Sequence, residues 1–390
     1  MQPGDVDADD DESEDADGRW RAKPHTLAKH RILSFFLDGW FPILTFMAKR
    51  HEASGRKVTY VDAFAGPGQY VGGEDGSPII ALKRVIDRKL AARLNFLFIE
   101  FDARRFACLA RLLEALKPRY SASASVGDVL PVHGDCVKEL GAAIDRSTAA
   151  GVQFGPAMCF LDQFGYASVP IDLVRRIMSF PECEIMLYMD FRNINRFLKD
   201  ESKDAARDAT WGGTAWREAR GKPEREQFEI VRRTYEEALR KHGRVRYAQS
   251  FAMWDKARPL SFLFFATNNL KGLKVMKAAM WRVDGTGEFL FSDAEAAMSD
   301  QGTLGLVTYG DAWLAQRLAE RLSGKTMTWA QVEEYVLVET PCHNFKLALK
   351  DLELRQPTRL AVSGAPAGRK PGVYADSYCK SLRVTFLPGS

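Results

Sequence analysis

The stretch 60-YVDAFAGPGQY-70 decides the fold of this chain. It begins as an apolar run that reaches Asp62, and the chain then bends through Gly66-x-Gly68. Glycines at such a bend allow a tight turn and let the backbone approach a ligand closely. The stretch therefore predicts the first strand of an α/β sheet, with a ligand site at the carboxyl end of that strand.

Four more apolar runs follow, and helical stretches separate them. Short apolar runs between helices are typical of buried parallel strands, which right-handed crossovers join into a doubly wound, Rossmann-like sheet. Each run ends in or contains an acid, and ligands of such sheets bind at the carboxyl ends of the strands. The runs are 58-VTYVDAF-64, 94-LNFLFIE-100, 129-VLPVHGD-135, 157-AMCFLD-162 and 184-EIMLYMD-190, and the acids are Asp62, Glu100, Asp135, Asp162 and Asp190.

We place the boundaries of this domain at residues 19–300. An aromatic helix is predicted over 29–50, kinked or divided at Gly39 and Pro42. Residues 191–243 form a charged helical insertion, and the runs 245–254 and 260–268 predict an antiparallel hairpin that ends a mostly parallel sheet.

Residues 304–390 are predicted to form a separate unit. Three helix candidates and two strands around a Gly/Pro-rich loop predict a winged helix. Its third helix, predicted to begin at Pro341, and its wing carry six basic residues. Winged helices bind nucleic acid or join subunits, and the residues leave both functions open. The six are Lys346, Lys350, Arg355, Arg369, Lys370 and Lys380.

Charge is unevenly distributed along the 390 residues. Residues 1–18 contain nine acids and no bases, which predicts a disordered acidic tail. The remainder carries 55 basic and 42 acidic residues, a net charge of +13. A basic body permits a polyanionic partner such as nucleic acid without demanding one.

Composition and cysteine placement favour the cytoplasm. We find no secretory signal and no apolar run long enough to span a bilayer. The six cysteines form no C-x-x-C pair and no zinc spacing with histidine, so we expect reduced thiols in the core and no metal.

The glycine pattern discriminates between cofactors. A dinucleotide fingerprint needs G-x-G-x-x-G, but Val71 occupies the third glycine position, and the chain has no P-loop. Glu100 can accept both ribose hydroxyls of a nucleoside, and Asp135 can accept from an adenine amino group. Taken singly each is a solvated loop acid, but together with the glycines they favour S-adenosylmethionine (SAM). The predicted cofactor residues are Asp62, Phe64, Gly66, Gly68, Glu100, Phe101, Asp135 and Cys136.

The segment 161-LDQFGYASVP-170 predicts the acceptor side of the site. Asp162 would accept a hydrogen bond from the group that is methylated, and Phe164 or Tyr166 would stack on a planar substrate. The alternative is a strand-to-helix turn with an aromatic side chain in the core. Methyl transfer needs little acid–base chemistry, so no strong nucleophile is expected.

Over residues 25–390 the chain resembles the three-Cys-motif partner protein family (TcmP). The resemblance implies a SAM-dependent methyltransferase fold, a C-terminal winged helix and a partner protein that carries the three-cysteine motif. It does not assign a reaction. The resembling segments are 29-KHRILSFFLDGW-40, 60-YVDAFAGPGQY-70, 76-GSPIIAL-82, 98-FIEFD-102, 161-LDQFG-165, 190-DFRNINR-196 and 263-LFFATNNLKGLKVMKAAMWRVD-284.

The segment at Asp162 is also similar to the D-P-P-[FY] motif of amino-group methyltransferases. Gln163 replaces the first proline, and Phe164 and Gly165 stand where the second proline and the aromatic residue belong. The departure weakens the expectation of adenine or cytosine as substrate. Two hypotheses follow: a SAM-dependent methyltransferase acting on a nucleic acid or a partner protein, or a non-catalytic protein that binds either through its winged helix.

Overall fold

The computed structural model describes residues 14–50, 57–163, 169–180, 182–255, 258–285, 289–292 and 309–388. The chain divides into two compact units, Met1–Gly272 with Phe291–Asp300, and Leu273–Leu290 with Gln301–Ser390. The sequence placed one boundary near residue 300. The structure instead assigns residues 273–290 to the second unit, so the division also falls within a helix.

The first unit is built on an eight-stranded sheet with the order β3-β2-β1-β4-β5-β7-β6-β8. Strands β1 to β5 are parallel, and β7 runs antiparallel to both β5 and β6. The mostly parallel sheet and the hairpin were predicted, whereas β8 was not. The strands are β1 (Val58–Asp62), β2 (Leu94–Glu100), β3 (Val126–His133), β4 (Ala157–Asp162), β5 (Cys183–Asp190), β6 (Tyr247–Asp255), β7 (Arg258–Thr267) and β8 (Leu290–Ser292).

The strand order reverses beside β1. The chain runs outward from β1 through β2 to β3 and then returns to place β4 on the other side of β1. A crevice opens at the carboxyl ends of the strands where such an order reverses. Asp62 at the end of β1 pairs in register with Phe160, so Asp162 lies two residues further along the neighbouring strand.

Eight α-helices, α1 to α8, carry the chain around this sheet in the described part of the molecule, α6 to α8 form the predicted insertion, and α9 continues into the second unit. Acids that follow strands cap several of them, since an N-cap carboxylate accepts from free N–H groups of the first turn. Asp102, Asp135 and Asp190 cap α3, α4 and α6 in this way. The helices are α1 (Pro24–Arg50), α2 (Ser77–Ile86), α3 (Ala103–Ala122), α4 (Cys136–Ala149), α5 (Ile171–Met178), α6 (Phe191–Arg196), α7 (Asp204–Trp211), α8 (Glu224–Lys241) and α9 (Leu270–Val283).

Helix α1 differs from its prediction. It begins at Pro24 and continues through Gly39 and Pro42 without division. Proline removes one backbone donor, and the Thr45 hydroxyl donates to the Phe41 carbonyl in this turn at 2.7 Å. Tertiary packing supports the helix, because Phe36 and Phe41 are fully buried and Phe36 lies 5.1 Å from the ring of Phe265 in β7.

By length and composition, Pro24–Lys49 within α1 could cross a membrane, which corrects the expectation that no apolar run is long enough. Core helices pass the same test, and 56% of the most apolar window is buried inside the protein. All six cysteines are free and buried, as predicted.

The second unit contains six further elements in its described residues. Strands β9, β10 and β11 form an antiparallel sheet with the order β10-β11-β9. Strand β9 was missed because three residues carry no periodicity, and the third helix begins at Lys346 rather than at the predicted Pro341. The elements are α10 (Asp311–Arg321), β9 (Thr326–Thr328), α11 (Trp329–Glu339), α12 (Lys346–Leu354), β10 (Leu360–Ser363) and β11 (Arg383–Phe386).

Polar groups define both ends of α11. Thr328 caps its first turn in a capping box with Gln331, as the sequence favoured. At the other end, the buried Lys277 ammonium donates to the carbonyls of Leu337 (2.8 Å) and Thr340. Burial lowers the pKa of Lys277 to about 7. A cation at a helix C-terminus stabilises the free carbonyls there, so Lys277 holds this end in place.

Glu353 of α12 organises the loop between β10 and β11. Its carboxylate accepts two hydrogen bonds from Arg369 (2.7 and 2.6 Å), one from Gly372 N–H (2.7 Å) and one from the Tyr374 hydroxyl (2.7 Å). The Glu353 and Arg369 side chains are 10% and 7% exposed. Arg369, predicted as a surface base of the wing, is therefore a buried structural partner.

We expect Glu353→Gln to destabilise the second unit by about 3 kcal/mol, because it leaves a buried guanidinium without its counter-charge. The matched control is Asp351→Asn on the same helix, whose partner Arg355 is 41% exposed, and it should cost less than about 1 kcal/mol. Hydrogen exchange of the α12 amides measures both. Equal loss of protection in the two variants would contradict the structural role of Glu353.

Candidate functional site

A small cavity of about 20 Å³ lies at the carboxyl ends of β1 and β4. Four of the predicted site residues line it: Phe64, Gly66, Gly68 and Asp162. Trp20, Tyr70 and Ser77 also line it, although no sequence pattern singled them out. The cavity therefore lies at the predicted ligand edge of the sheet.

The two glycines of the bend have different roles. Both have positive φ, +61° at Gly66 and +81° at Gly68, where a side chain would be strained. A Cβ on Gly68 would lie 2.9 Å from Leu109 and 3.2 Å from Leu112, so this glycine lets the loop pack on α3. A Cβ on Gly66 would meet only Trp20, at 3.8 Å. Gly66, and not Gly68, is therefore the glycine that leaves space for a ligand to approach the backbone closely.

Glu100, at the end of β2, clamps this bend. One carboxylate oxygen accepts from Gly66 N–H at 2.7 Å and the other from Asp102 N–H at 2.8 Å. Burial raises the pKa of Glu100, and the two N–H donors oppose that effect. A carboxylate has about four acceptor positions, so two hydrogen bonds leave capacity for hydroxyl groups of a ligand.

Asp62 is fully buried where β1 meets the bend. Its Oδ2 lies 3.4 Å from the Tyr60 hydroxyl, and its Oδ1 has no hydrogen-bond partner within the described part of the chain. Burial raises the pKa of Asp62 to about 7. An unsatisfied buried carboxylate oxygen is costly, which makes it a candidate acceptor for a bound donor.

Asp62 and Glu100 adjoin the bend without lining the cavity, and the other three predicted cofactor residues do not line it either. Asp135 is exposed and caps α4 by accepting from Lys138 N–H at 2.9 Å. The Cys136 side chain lies in the hydrophobic core beside Val61 and Leu140. Phe101 is 55% exposed. The role of these three in cofactor binding stays a prediction, and Asp135 also has a structural function as the cap of α4.

Asp162 forms a buried ion pair that was not predicted from the sequence. The Lys29 ammonium of α1 donates to Asp162 Oδ2 and lies 4.4 Å from the centroid of the Tyr188 ring. The two charged side chains are 7% and 10% exposed. The signal was present, because Lys29 shares the helical spacing of the buried Leu33 and Phe36, which places it on the core face.

The predicted stacking residues Phe164 and Tyr166 lie outside the described residues. Gln163, which replaces the first proline of the D-P-P-[FY] pattern, accepts from Val169 N–H at 3.0 Å. This hydrogen bond ties the start of the segment to its end. Among the described residues, no group of three His, Cys, Asp or Glu side chains is arranged to hold a metal ion.

Residues 14–23, which we call the N-terminal strap, contribute Trp20 to the cavity. The sequence assigned residues 14–18 to a disordered tail, but Asp15 accepts from the N–H groups of Asp17 and Arg19, both at 3.0 Å. Trp20 lies edge-on to Tyr70 at 5.6 Å, and its carbonyl accepts from Val71 N–H at 3.0 Å. The strap is therefore ordered by its contacts, and its acids find partners.

The strand order, the glycine bend and the cavity beside β1 define a doubly wound, Rossmann-like fold. No protein-family model matches the sequence, and no curated protein matches it. The resemblance to the three-Cys-motif partner family therefore stays a prediction.

Solved structures with partial likeness include EvdMO1 (11% identity, TM-score 0.31). They also include TYW2 of M. jannaschii in complex with AdoMet (9%, 0.27) and a DUF574 family protein of Streptomyces avermitilis (12%, 0.30). The matches cover 67%, 57% and 61% of this chain and 52%, 74% and 83% of the others. The chain thus spans about half the length of EvdMO1. At such low TM-scores these likenesses carry no argument, and the fold assignment rests on the strand order.

We expect the Lys29–Asp162 pair to stabilise the fold as a unit. Lys29→Met should cost about 3–5 kcal/mol, because it leaves a buried carboxylate unpaired. Adding Asp162→Asn should recover about 1–3 kcal/mol relative to the sum of the single changes.

Urea unfolding of the four proteins in this cycle measures the coupling free energy. The control is a cycle on Lys57 and Asp128, whose side chains are 70% and 79% exposed, with an expected coupling below about 1 kcal/mol. A coupling free energy at Lys29–Asp162 no larger than that of this control would show that the buried pair adds nothing to the stability of the fold.

Proposed function

We propose that this chain is a SAM-dependent methyltransferase. The observation that carries the proposal is the cavity at the strand-order reversal, where the Gly66 bend is clamped by the Glu100 carboxylate. This arrangement suits a nucleoside. Gly66 presents backbone without a side chain on one side, and Glu100 presents spare acceptor positions on the other. This arrangement also explains why a dinucleotide or P-loop pattern is missing from the sequence.

The carboxylate acceptors Glu100 and Asp62 suit the polar groups of SAM. Glu100 would accept from the ribose hydroxyls while it keeps its bonds to Gly66 and Asp102. The unsatisfied Oδ1 of Asp62 would accept from the ammonium of the methionine part, and that positive charge would favour the ionised carboxylate. When bound, the cofactor supplies a methyl group already activated on a sulfonium.

We propose that Asp162 orients the acceptor, which is a nucleic acid or a partner protein. Its carboxylate lines the cavity, but Lys29 already occupies one oxygen. An acceptor would hydrogen-bond to the remaining positions on Asp162, with Lys29 fixing the direction of the carboxylate. Phe164 would stack on a planar acceptor, as the sequence suggested. Positioning of this kind supplies much of the rate in methyl transfer.

We further propose that the second unit is a winged helix that binds a partner protein. The element order α10-β9-α11-α12-β10-β11, with β9 and β10 on either side of β11, supports the assignment. Leu347 and Leu354 on α12 are 54% and 49% exposed, with Lys350 between them. Lys346 and Arg355 pair with acids of the same unit, which favours a protein over nucleic acid at this helix. Protein binding by this unit, without catalysis, is the alternative function.

SAM should bind the wild-type chain, and Glu100→Gln should weaken binding at least tenfold. The amide keeps the size of the side chain but loses acceptor capacity and turns a donor toward a backbone N–H, and each lost charged hydrogen bond is worth about 1.5–3 kcal/mol. Isothermal titration calorimetry measures the affinity. The control is Asp128→Asn, the same carboxylate-to-amide change at a side chain that is 79% exposed and outside the cavity. A wild-type chain that does not bind SAM would refute the proposed cofactor.

Methyl transfer should depend on Asp162. Radiolabelled SAM, incubated with RNA, with DNA and with the protein encoded beside this one, should label one of them. Asp162→Asn should reduce the rate constant of transfer about 10²–10⁴-fold with little change in SAM affinity. SAM binding without transfer to any of the three would instead favour the non-catalytic alternative.

A further inference from the structure

The N-terminal strap is attached to α3 by exposed ion pairs. Glu14 pairs with Arg104 at 2.9 Å and also with Arg105, and Asp17 pairs with Arg111 at 2.5 Å. Arg104 and Arg111 are separated by about two helical turns, so they lie on one face of α3, and Arg105 follows Arg104 directly. The strap therefore lies along this face and is held there chiefly by charge.

Close packing accompanies these ion pairs. A Cβ on Gly18 would lie 2.9 Å from Cγ of Arg105, so the strap backbone contacts that side chain directly. Cys108, on the same face of α3, is only 4% exposed. Burial raises the pKa of its thiol, and the nearby Asp17 carboxylate raises it further. Asp15, Asp17 and Arg19 of the strap all act on this thiol, so Cys108 lies beside the strap and its labelling reports whether the strap is seated.

The seated strap places Trp20 against the glycine bend. The ring is the nearest group to the open side of Gly66, Tyr70 contacts it edge-on, and the Arg105 guanidinium lies 4.8 Å from its centroid. The remaining cavity of about 20 Å³ is far smaller than the roughly 300–1,000 Å³ of ligand sites. The indole therefore occupies space that a ligand approaching Gly66 would need.

We propose that the N-terminal strap is an autoinhibitory contact: seated on α3, it holds Trp20 over the cofactor site and must lift before SAM binds. This inference rests on the proposed function for the identity of the ligand. The apparent dissociation constant then equals the intrinsic constant divided by the fraction of molecules with a lifted strap. Exposed ion pairs weaken as salt screens them, so ionic strength controls that fraction.

The first experiment measures strap lifting without any cofactor. The full chain is treated with N-ethylmaleimide, and mass spectrometry follows the labelling rate of Cys108. The rate should rise about three- to tenfold between about 50 mM and 500 mM salt, and by a similar factor in Glu14→Gln/Asp17→Asn. The matched control is Asp87→Asn, which removes a pair with Arg119 (3.1 Å) on the same helix outside the strap and should label like the wild type.

The second experiment measures SAM affinity in the same proteins by calorimetry. Glu14→Gln/Asp17→Asn, which keeps Trp20, should bind SAM about three- to tenfold more tightly than wild type at low salt. Trp20→Ala should bind more tightly as well, and the difference from wild type should shrink at high salt. Asp87→Asn should match the wild type throughout.

The outcomes distinguish a failure of the strap proposal from a failure of the proposed function. If the labelling rate of Cys108 responds to neither salt nor the double variant, the proposal that the strap lifts is refuted. Weaker SAM binding by Trp20→Ala overturns occlusion and makes the indole a wall of the occupied site. Failure of every variant to bind SAM, while Cys108 labelling responds as expected, refutes the proposed cofactor and with it the occlusion of SAM.

Discussion

The hydrogen bond from Gly66 N–H to the Glu100 carboxylate is the contact on which the site depends. It joins the loop after β1 to the end of β2, so the two neighbouring strands and the bend between β1 and α2 move as one body. Gly66 and Gly68 take backbone conformations that glycine adopts without strain, and the charged acceptor fixes the bend in that shape. A neutral acceptor would hold the bend less firmly, since hydrogen bonds to charged groups are about twice as strong.

The other side of the cavity depends on a buried ion pair. Lys29 and Asp162 come from α1 and β4, 133 residues apart, and each would be costly to bury alone. Their contact fixes the direction of the Asp162 carboxylate before any ligand arrives. Under the proposed function, an acceptor that meets a preoriented carboxylate needs no reorganisation at the moment of transfer, which is the advantage that fixed dipoles give active sites.

Much of the sheet followed from the sequence because its strands are buried on both faces and read as plain apolar runs. Asp62, Gly66 and Glu100 were predicted to lie together for the same reason, since residues that end neighbouring parallel strands share an edge, and Glu100 does contact Gly66 there. Asp135 shows the limit of that reasoning. An acid after a strand and before a helix is both a ligand signal and an N-cap signal, and here it makes the cap. Lys29 and Trp20 escaped because they precede the sheet in sequence, and only tertiary packing brings them to its edge.

The two kinds of charge contact at this site differ in their response to solvent. Lys29 and Asp162 interact in a region of low dielectric constant, where added salt screens little. Glu14 and Arg104, at 28% and 57% exposure, interact in solvent, where salt screens strongly. The floor of the cavity, at Asp162, is thus held by a buried ion pair, whereas its cover, the N-terminal strap, is held by exposed ion pairs. A protein built in this way can expose or cover the same rigid site without rearranging the residues that form it, because the cover releases at a cost far below that of breaking the floor.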